Sequence, residues 1–470
     1  MTRDDKIAKS LAQAIRASGL QEGMTISFHH HLRDGDRVQN LVLAECARLG
    51  LKQLTVNTAA IMACHRPVLE HIREGIVAGI ECNYMHPSVG HAISKGVMPG
   101  EVIFRSHGGR PAALARGQAK IDVAFIAASA TDRAGNCNGQ GGPSAFGSIG
   151  YAMPDALHAR HVIVVSDHLE PYPLTPASID ESRVDAVVLV DSIGDPDKII
   201  SGTTRVTRDP VGLLIAQYAA KALQASGLVK EGLSFQTGAG GASLAVARYL
   251  GDIMRREGIT GSFASGGITG MLVDLFEEGL FRSLLDVQCF DREAVRSMIN
   301  NEKHREISAS TYASPAAGSA VVDHLDMVIL GATQVDLTFN VNVHTDSQGL
   351  IMGGSGGHSD TAAGARLTVI VAPLLRARLP LIVDRVGTIT TPGRDVDLLV
   401  TQYGLACHPD RGDLKEKLIE ADLPIRDIGD LKAKAESLAG IPARKTAEGR
   451  TVARVISRDG ELLDRIRAVC

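Results

Sequence analysis

Hydrophobic positions along the chain alternate between two periods. Ile7, Leu11 and Ile15 recur every fourth position within residues 6–18, which predicts a helix with one apolar face. Short apolar runs bounded by glycine or polar residues predict strands. The same alternation predicts further helices at 37–49 and 66–75 and strands at 24–28, 53–57, 76–82, 101–104, 121–128, 161–166 and 185–191. Near-continuous apolar strands alternating with helices are typical of an α/β protein with a largely parallel sheet covered on both faces.

A helix predicted at 210–226 marks the middle of the chain. Asp209 is a good N-cap, Pro210 fits the first turn, and Gly227 is a typical end. Beyond it, a strand again runs into a polar, glycine-containing loop, as residues 24–31 do. The sequence therefore predicts two α/β domains, 1–228 and 229–470. The charged segment 411–470 is expected to pack around the second domain.

Composition narrows the class of protein. The chain has 470 residues, 44% of them hydrophobic and 22% charged, which is ordinary for a globular enzyme. A net charge of −4 without a basic, aromatic stripe argues against nucleic acid as a partner. No apolar run is long enough to span a membrane. Seven dispersed cysteines without a C-x-x-C pair predict reduced thiols, no metal and a cytoplasmic protein.

Glycines are concentrated in the loop 353–357, between apolar runs at 336–343 and 367–371, both predicted as strands. Four of its five residues are glycine, and the good N-cap types Ser359 and Asp360 follow. Successive backbone N–H groups at a helix start suit a phosphate, a carboxylate or an oxyanion. The alternative is a mobile surface loop.

Two loops in the first half carry cationic and imidazole side chains. Residues 29–31 are three histidines, and adjacent side chains on a strand cannot all face one metal ion. They are predicted to be neutral hydrogen-bonding groups beside Arg33, whose planar fork suits a carboxylate. Arg105, His107 and Arg110, beside paired glycines, form a second anion-binding candidate, for which a solvated loop is the alternative.

Two other features point to chemistry that the sequence argues against. The glycine loop 236–243 has Ser243 where a dinucleotide fingerprint needs its third glycine, and no acid stands near residue 261. Cys137 lies in a polar loop but has no identifiable base, so a structural role is favoured over a nucleophile.

Several of these segments resemble a known family. Residues 335–343 and 353–365 resemble the coenzyme A transferase superfamily, and residues 236–241 are similar to its second-half glycine loop. Within that superfamily the similarity is greatest to citrate lyase alpha subunits, and it covers nearly the whole chain. The segments that carry it are 27–33, 104–109, 139–145, 265–270 and 353–365.

The resemblance implies two tandem CoA-transferase-like domains with open, largely parallel sheets and a cleft between them. It implies a citrate CoA-transferase that exchanges acetate for citrate on an acetyl thioester. The implied partners are a beta subunit and an acyl carrier gamma subunit, in an oligomeric complex. The chain itself would bind no cofactor, because the carrier supplies a phosphoribosyl-dephospho-CoA arm, or CoA itself takes its place.

Roles for individual residues complete the expectation. Predicted backbone donors for catalysis are Gly240, Gly356 and Gly357, and predicted citrate ligands are His31, Arg33, Arg105 and His107. Residues expected to bind CoA or the thioester are Gly238, Gly241, Gly353, Gly354, His358, Ser359 and Asp360.

The resemblance also reveals one departure. Many CoA transferases carry a nucleophilic glutamate where a rough alignment places Ser262 in this chain, which predicts direct transfer through a mixed anhydride. Another carboxylate CoA-transferase, an acyl-CoA hydrolase and a non-catalytic carrier-docking subunit are the alternatives.

Overall fold

Two large sheets organise the computed structural model, which describes residues 5–200, 205–440 and 449–469. The first sheet has ten strands, all parallel except for one antiparallel pair at its end. In spatial order the strands are Ile7–Ala8, Ala186–Leu189, His161–Ser166, Val123–Ala128, Thr25–Phe28, Leu54–Thr58, Val77–Cys82, Val102–Phe104, Thr451–Ile456 and Leu462–Arg467. The largely parallel α/β sheet predicted for this half is confirmed.

The second sheet follows the same plan with eight strands, again parallel except for the last pair. In spatial order they are His304–Glu306, Phe281–Cys289, Gly261–Ile268, Ser234–Thr237, Met327–Leu330, Leu367–Val371, Leu398–Thr401 and Gly404–Cys407. Smaller pairings join Gln334–Asp336 to Val341–Asn342 and Ile382–Val383, Leu375–Arg376 to Leu379–Pro380, and Ala130–Thr131 to Cys137–Asn138.

Helices connect the strands of both sheets. In chain order they are Leu11–Ala17, Val38–Arg48, Val68–Arg73, Pro87–Ser94, Gly109–Ala115, Met153–His158, Pro210–Ala225, Gly241–Glu257, Gly270–Glu277, Arg292–Asn300, Ala309–Ala313, His358–Gly364, Gly412–Glu420 and Ile428–Ala439. Every residue of Val123–Ala128 and of Leu367–Val371 is buried, as expected when packed elements cover both faces of a sheet. No helix among the described residues is long and apolar enough to cross a membrane.

The predicted caps of the central helix are present. Asp209 accepts a hydrogen bond from the Gly212 N–H at 2.9 Å, and Pro210 is the first helical residue. At the other end Gly227 adopts a positive φ of 80° just beyond the helix.

Two expectations about the second half differ from the structure, one of them only in part. The strand predicted at 336–343 is wrong: the carboxylate of Asp336 accepts the N–H groups of Thr338 and Asn340, both at 3.0 Å, and so turns the chain back. The expectation that the tail packs around the second domain holds for helices Gly412–Glu420 and Ile428–Ala439, which contact strand Gly404–Cys407. It is wrong for the hairpin Thr451–Ile456 and Leu462–Arg467, which extends the first sheet beside Val102–Phe104.

The division near residue 228 is still a prediction, and two features do not follow it. Helix Pro210–Ala225 packs against Gly241–Glu257 and against strands of the second sheet. The terminal hairpin returns to the first sheet. The chain therefore crosses between the two sheets more than once.

Candidate active site

Loops that follow parallel strands of the two sheets meet at one junction. The His107 N–H donates to the Gly356 carbonyl at 2.8 Å, and the Gly356 N–H donates to the Asn83 carbonyl at 3.1 Å. Asn83 and His107 both follow strands of the first sheet, whereas Gly356 belongs to the second half. Because the carboxyl ends of parallel strands share one edge, residues predicted from separate loops come together here.

Asp360 connects the two halves. Its carboxylate accepts from the Ser106 hydroxyl at 2.5 Å and from the Gly108 N–H at 2.9 Å. Burial raises the pKa of Asp360 to about 7, although both hydrogen bonds act in the opposite direction. The buried carboxyl group therefore joins the two halves by hydrogen bonds, with a pKa near neutral pH.

His358 and Ser359 fix the glycine loop from the other side. His358 bonds the Thr391 hydroxyl through Nδ1 at 2.7 Å and the Gly331 carbonyl through Nε2 at 2.8 Å, so Nε2 carries the proton. Burial lowers the pKa of His358 to about 4, which keeps the ring neutral. The Ser359 hydroxyl lies 2.7 Å from that of Ser355. These side chains use their polar atoms within the protein, so their ligand-binding roles remain a prediction.

Backbone approaches the loop 353–357 very closely, and the approaching groups belong to the protein. A Cβ on Gly354 would lie 2.2 Å from the Asn83 carbonyl oxygen, and one on Gly353 would lie 2.4 Å from that of Val343. A Cβ on Gly357 would lie 2.6 Å from the Tyr312 hydroxyl oxygen. Glycine is required here for packing at the junction.

The second glycine loop is open at Gly238 and Gly240, whereas a Cβ on Gly241 would lie 2.9 Å from the Arg205 carbonyl oxygen. The Gly238 N–H donates to the Ile329 carbonyl at 2.8 Å, and Gly240 is exposed at the start of helix Gly241–Glu257, without a side-chain cap. Added Cβ atoms on Gly238 and Gly240 would meet their nearest neighbours at 3.5 and 3.7 Å, which is ordinary contact. The loop therefore leaves room beside the backbone for a ligand.

The three consecutive histidines are buried and neutral, as predicted. Burial lowers the pKa of each, that of His29 to about 4. His31 contacts His29 through Nδ1 and accepts the Tyr151 N–H at 3.3 Å, so it is engaged inside the first half. His30 instead stacks near His107 and Tyr151, with ring centroids 6.1 and 5.2 Å away.

The two predicted arginines differ in availability. Arg33 adopts a positive φ of 52°, and its guanidinium lies 4.7 Å above the Phe290 ring in the second half. Its Nη1 atom is buried and has no hydrogen-bond partner among the described residues. Arg105 is instead paired with Glu81, Nε to Oε2, at 3.1 Å. Arg33 is thus the better placed of the two to bind a carboxylate.

A chain of hydrogen-bonded polar side chains that the sequence did not predict lies beside the loop 353–357. The Ser265 hydroxyl donates to Gln236 Oε1 at 3.1 Å, and Gln236 Nε2 donates to the Tyr312 hydroxyl oxygen at 2.6 Å. Because Tyr312 accepts from Gln236, its own proton is available for another acceptor. Burial raises the pKa of Tyr312, so the hydroxyl stays protonated. Tyr312 lies in the short helix Ala309–Ala313, which carries no sequence motif.

Several buried polar atoms around the junction have no hydrogen-bond partner among the described residues. Unpaired buried polar groups are costly, so a group of them at one place favours a polar ligand. Among the described residues, the unpartnered atoms here are His30 Nδ1, Arg33 Nη1, Asn83 Oδ1, His107 Nδ1, Thr269 Oγ1 and Gln288 Oε1.

A buried acid–thiol–imidazole cluster underlies this region. Asp286 Oδ2 lies 3.0 Å from both Cys289 Sγ and His304 Nε2, and the three ligand-type atoms lie within 4.8 Å of one another. This donor set could hold a metal ion, although its polar atoms already bond one another. Sequence spacing gave no signal for it, because Asp286 and Cys289 are brought to His304 only by strand pairing.

Cys137 is buried, which is consistent with a structural rather than a nucleophilic cysteine. Its side chain is completely buried, and burial raises the pKa of the thiol. The described cysteines at 46, 64, 82, 137, 289 and 407 are free, and Cys470 lies outside the described residues.

Comparisons with known proteins cover almost the entire chain. The family model for the citrate lyase alpha subunit matches residues 4–469. The citrate lyase alpha chain of Klebsiella pneumoniae is 49% identical over 467 residues, covering 99% of this chain and 92% of the relative. That of Escherichia coli K12 is 47% identical with the same coverage.

Solved structures give the same likeness. A putative alpha subunit of citrate lyase from Streptococcus mutans, determined in complex with citrate, has a TM-score of 0.98 and 47% identity, covering 100% of this chain and 92% of that one. A 4-hydroxybutyrate CoA-transferase from Porphyromonas gingivalis, at 16% identity, has a TM-score of 0.57 and covers 92% of this chain and 96% of that one. The second likeness concerns the fold alone and confirms the CoA-transferase-like architecture.

Proposed function

The chain belongs to the citrate lyase alpha-subunit family, whose members are transferases of the citrate lyase complex, and we propose that it exchanges acetate for citrate on an acetyl thioester. The thioester would be carried by the CoA-derived arm of the acyl carrier gamma subunit, and the beta subunit would use the citryl product. The observation that carries this proposal is the Arg33 guanidinium at the junction, with a buried, unpartnered nitrogen. The citrate-bound relative supports the choice of substrate.

The proposed reaction proceeds without an enzyme-bound acyl group. A citrate carboxylate oxygen attacks the acetyl carbonyl carbon, the C–S bond breaks, and the thiolate leaves. The thiolate then attacks the citryl carbonyl of the mixed anhydride, and acetate departs. Each bond that forms is matched by one that breaks, so no further reactant is needed.

Side chains near the second-half glycine loops support direct transfer. Segments 234–241 and 261–270 contain neither aspartate nor glutamate. Ser262, aligned with the missing nucleophile, lies at the start of strand Gly261–Ile268 and donates to the Leu233 carbonyl at 3.1 Å. That end of the strand lies opposite the junction, so the rough alignment at Ser262 does not mark a catalytic position in this structure. At the junction end the strand has Gly266 and Gly267, which offer no nucleophile.

Oxyanion stabilisation is assigned to groups that still have a proton to donate. The Gly356 N–H is bonded to Asn83 and is therefore a poorer candidate than the sequence indicated. The Tyr312 hydroxyl oxygen lies 2.6 Å from the place that a Cβ on Gly357 would take, so this hydroxyl and the backbone N–H of Gly357 belong to one contact, and we propose them as the donors. Loss of one such donor typically costs about 3–4 kcal/mol of transition-state stabilisation. Holding both reactants at one junction adds the advantage of proximity.

Acetyl transfer by the purified chain tests this function. Acetyl-CoA is supplied with citrate or with other di- and tricarboxylates, and acetate and acyl-CoA products are quantified. Citrate-dependent formation of citryl-CoA is expected. Acetate release without citrate would indicate a hydrolase, and no turnover would indicate a carrier-docking subunit. Trapping with hydroxylamine or borohydride should yield no enzyme adduct, and an adduct on a carboxylate would overturn direct transfer.

A further inference from the structure

We infer that Gln288 binds the hydroxyl group of the acceptor substrate and so selects hydroxylated over deoxy tricarboxylates. The inference rests on the proposed function and deepens it by assigning a specificity determinant. Gln288 is the penultimate residue of strand Phe281–Cys289, where the second half meets the 29–33 segment of the first.

The orientation of the Gln288 amide is set by one contact. Its Nε2 donates to the His30 carbonyl oxygen at 3.0 Å. A reversed amide would place the Oε1 atom against the His30 carbonyl oxygen, so Oε1 is the amide atom that points away from His30. Gln288 is only 1% exposed, and Oε1 has no hydrogen-bond partner among the described residues.

The backbone of Gln288 is held rigidly. Its N–H donates to Asp286 Oδ1 at 2.7 Å, while the other oxygen of Asp286 bonds Cys289 and His304. Asp286 is fully buried. The acid–thiol–imidazole cluster therefore serves as a support that fixes where the Gln288 amide lies.

Arg33 and Gln288 share an anchor. The backbone N–H of Arg33 and the side-chain Nε2 of Gln288 both donate to the His30 carbonyl oxygen, at 2.8 and 3.0 Å. Phe290, two residues beyond Gln288, lies under the Arg33 guanidinium. A substrate carboxylate bound by Arg33 is thus adjacent to Gln288.

The chemistry of the unpartnered atoms distinguishes their ligands. Arg33 Nη1 is a donor and suits a carboxylate, which only accepts when ionised. Gln288 Oε1 is only an acceptor, so it requires a donor on the ligand. On an ionised polycarboxylate the only such donor is a hydroxyl group. The site therefore fits a hydroxy-tricarboxylate.

Citrate and tricarballylate, which differ only in that hydroxyl, provide the test. The wild type should prefer citrate in kcat/KM, and Gln288→Leu should lower kcat/KM for citrate by about 10- to 100-fold while changing that for tricarballylate less than about threefold. Gln39→Leu removes another buried glutamine with an unpartnered amide and should keep the wild-type ratio. An equal loss for both substrates in Gln288→Leu would overturn the inference.

Calorimetric binding of both compounds to the wild type keeps the inference testable if the variant does not fold. Tighter binding of citrate than of tricarballylate is expected, and equal affinity or no binding of either would overturn the role of Gln288. Failure of the proposed function appears differently, as a wild type that binds citrate but forms no citryl-CoA.

Discussion

The two glycine loops look alike in sequence but differ in space. Loop 353–357 is packed between the halves, and a Cβ on Gly354 would lie 2.2 Å from a backbone oxygen. Loop 238–241 opens a helix with room beside Gly238 and an exposed Gly240. The first loop uses glycine so that protein backbone can approach. In the second loop Gly238 and Gly240 leave space for a ligand, although the Arg205 carbonyl closely approaches Gly241. A cluster of glycines therefore indicates close approach without identifying what approaches.

Tyr312→Phe should have the largest effect, because it removes a proposed oxyanion donor beside the packed loop. Transfer turnover is expected to fall by about 100- to 1000-fold with the fold retained. Tyr249→Phe removes a hydroxyl that accepts a similar glutamine contact, at 3.2 Å from Gln217, and is the matched control. Steady-state acetyl transfer and circular dichroism measure both. Near-normal turnover in Tyr312→Phe would show that the Tyr312 hydroxyl is not an oxyanion donor.

Gly354→Ala tests the packing of the first loop. The added methyl group meets the Asn83 carbonyl, so we expect a loss of about 2–3 kcal/mol in the free energy of unfolding. Urea denaturation gives the value. A variant as stable as the wild type would show that the backbone at the junction can move to accommodate the methyl group.

Asp360→Asn tests the hydrogen bonds that the Asp360 carboxyl group makes to Ser106 and Gly108, through the pH dependence of stability. Because the pKa of Asp360 is raised from 3.8 to about 7, the folded state keeps a proton that the unfolded state loses between about pH 4 and pH 7. In that window the carboxyl's contribution to stability falls as pH rises, by at most about 1.4 kcal/mol per pH unit. The free energy of unfolding of Asp360→Asn should therefore rise relative to that of the wild type between pH 4 and pH 7.

Urea unfolding at steps of pH measures this difference. Asp410→Asn changes a side chain that is 90% exposed and should run parallel to the wild type. A constant difference between Asp360→Asn and the wild type would mean that the buried carboxyl is ionised throughout.

Gly238→Ala should have the smallest effect on stability, within about 0.5 kcal/mol, because its methyl group finds ordinary contacts. If the thioester passes this open loop, the KM for acetyl-CoA should nevertheless rise. Thermal unfolding together with substrate titration separates the two effects. Unchanged KM would restrict the ligand to other parts of the junction.

Much of the fold follows from local patterns. Strands such as Val123–Ala128 are buried on both faces and so appear as continuous apolar runs, and the caps of Pro210–Ala225 are local signals. The turn at Phe339, with a φ of 63°, was missed because Asp336 captures backbone N–H groups that a strand would pair. The terminal hairpin was missed because its pairing with Val102–Phe104 has no local sequence signature.

The site was predictable only where its chemistry is local. Arg33, His107 and Asp360 stand in conspicuous polar or glycine-rich loops, and the structure brings them to one junction. Tyr312 and Gln288 lie in an ordinary helix and an ordinary strand. Their significance depends on contacts with Gln236 and with the His30 carbonyl, which arise only after the sheets form and the halves pack.

The terminal hairpin has a consequence for how the chain is made. On the ribosome, Val102–Phe104 emerges long before Thr451–Ile456, which covers its edge. An uncovered strand edge readily pairs with other chains, so the nascent first half passes through a long period at risk of aggregation. Completion of the first sheet must consequently wait until the hairpin Thr451–Ile456 and Leu462–Arg467 has been synthesised.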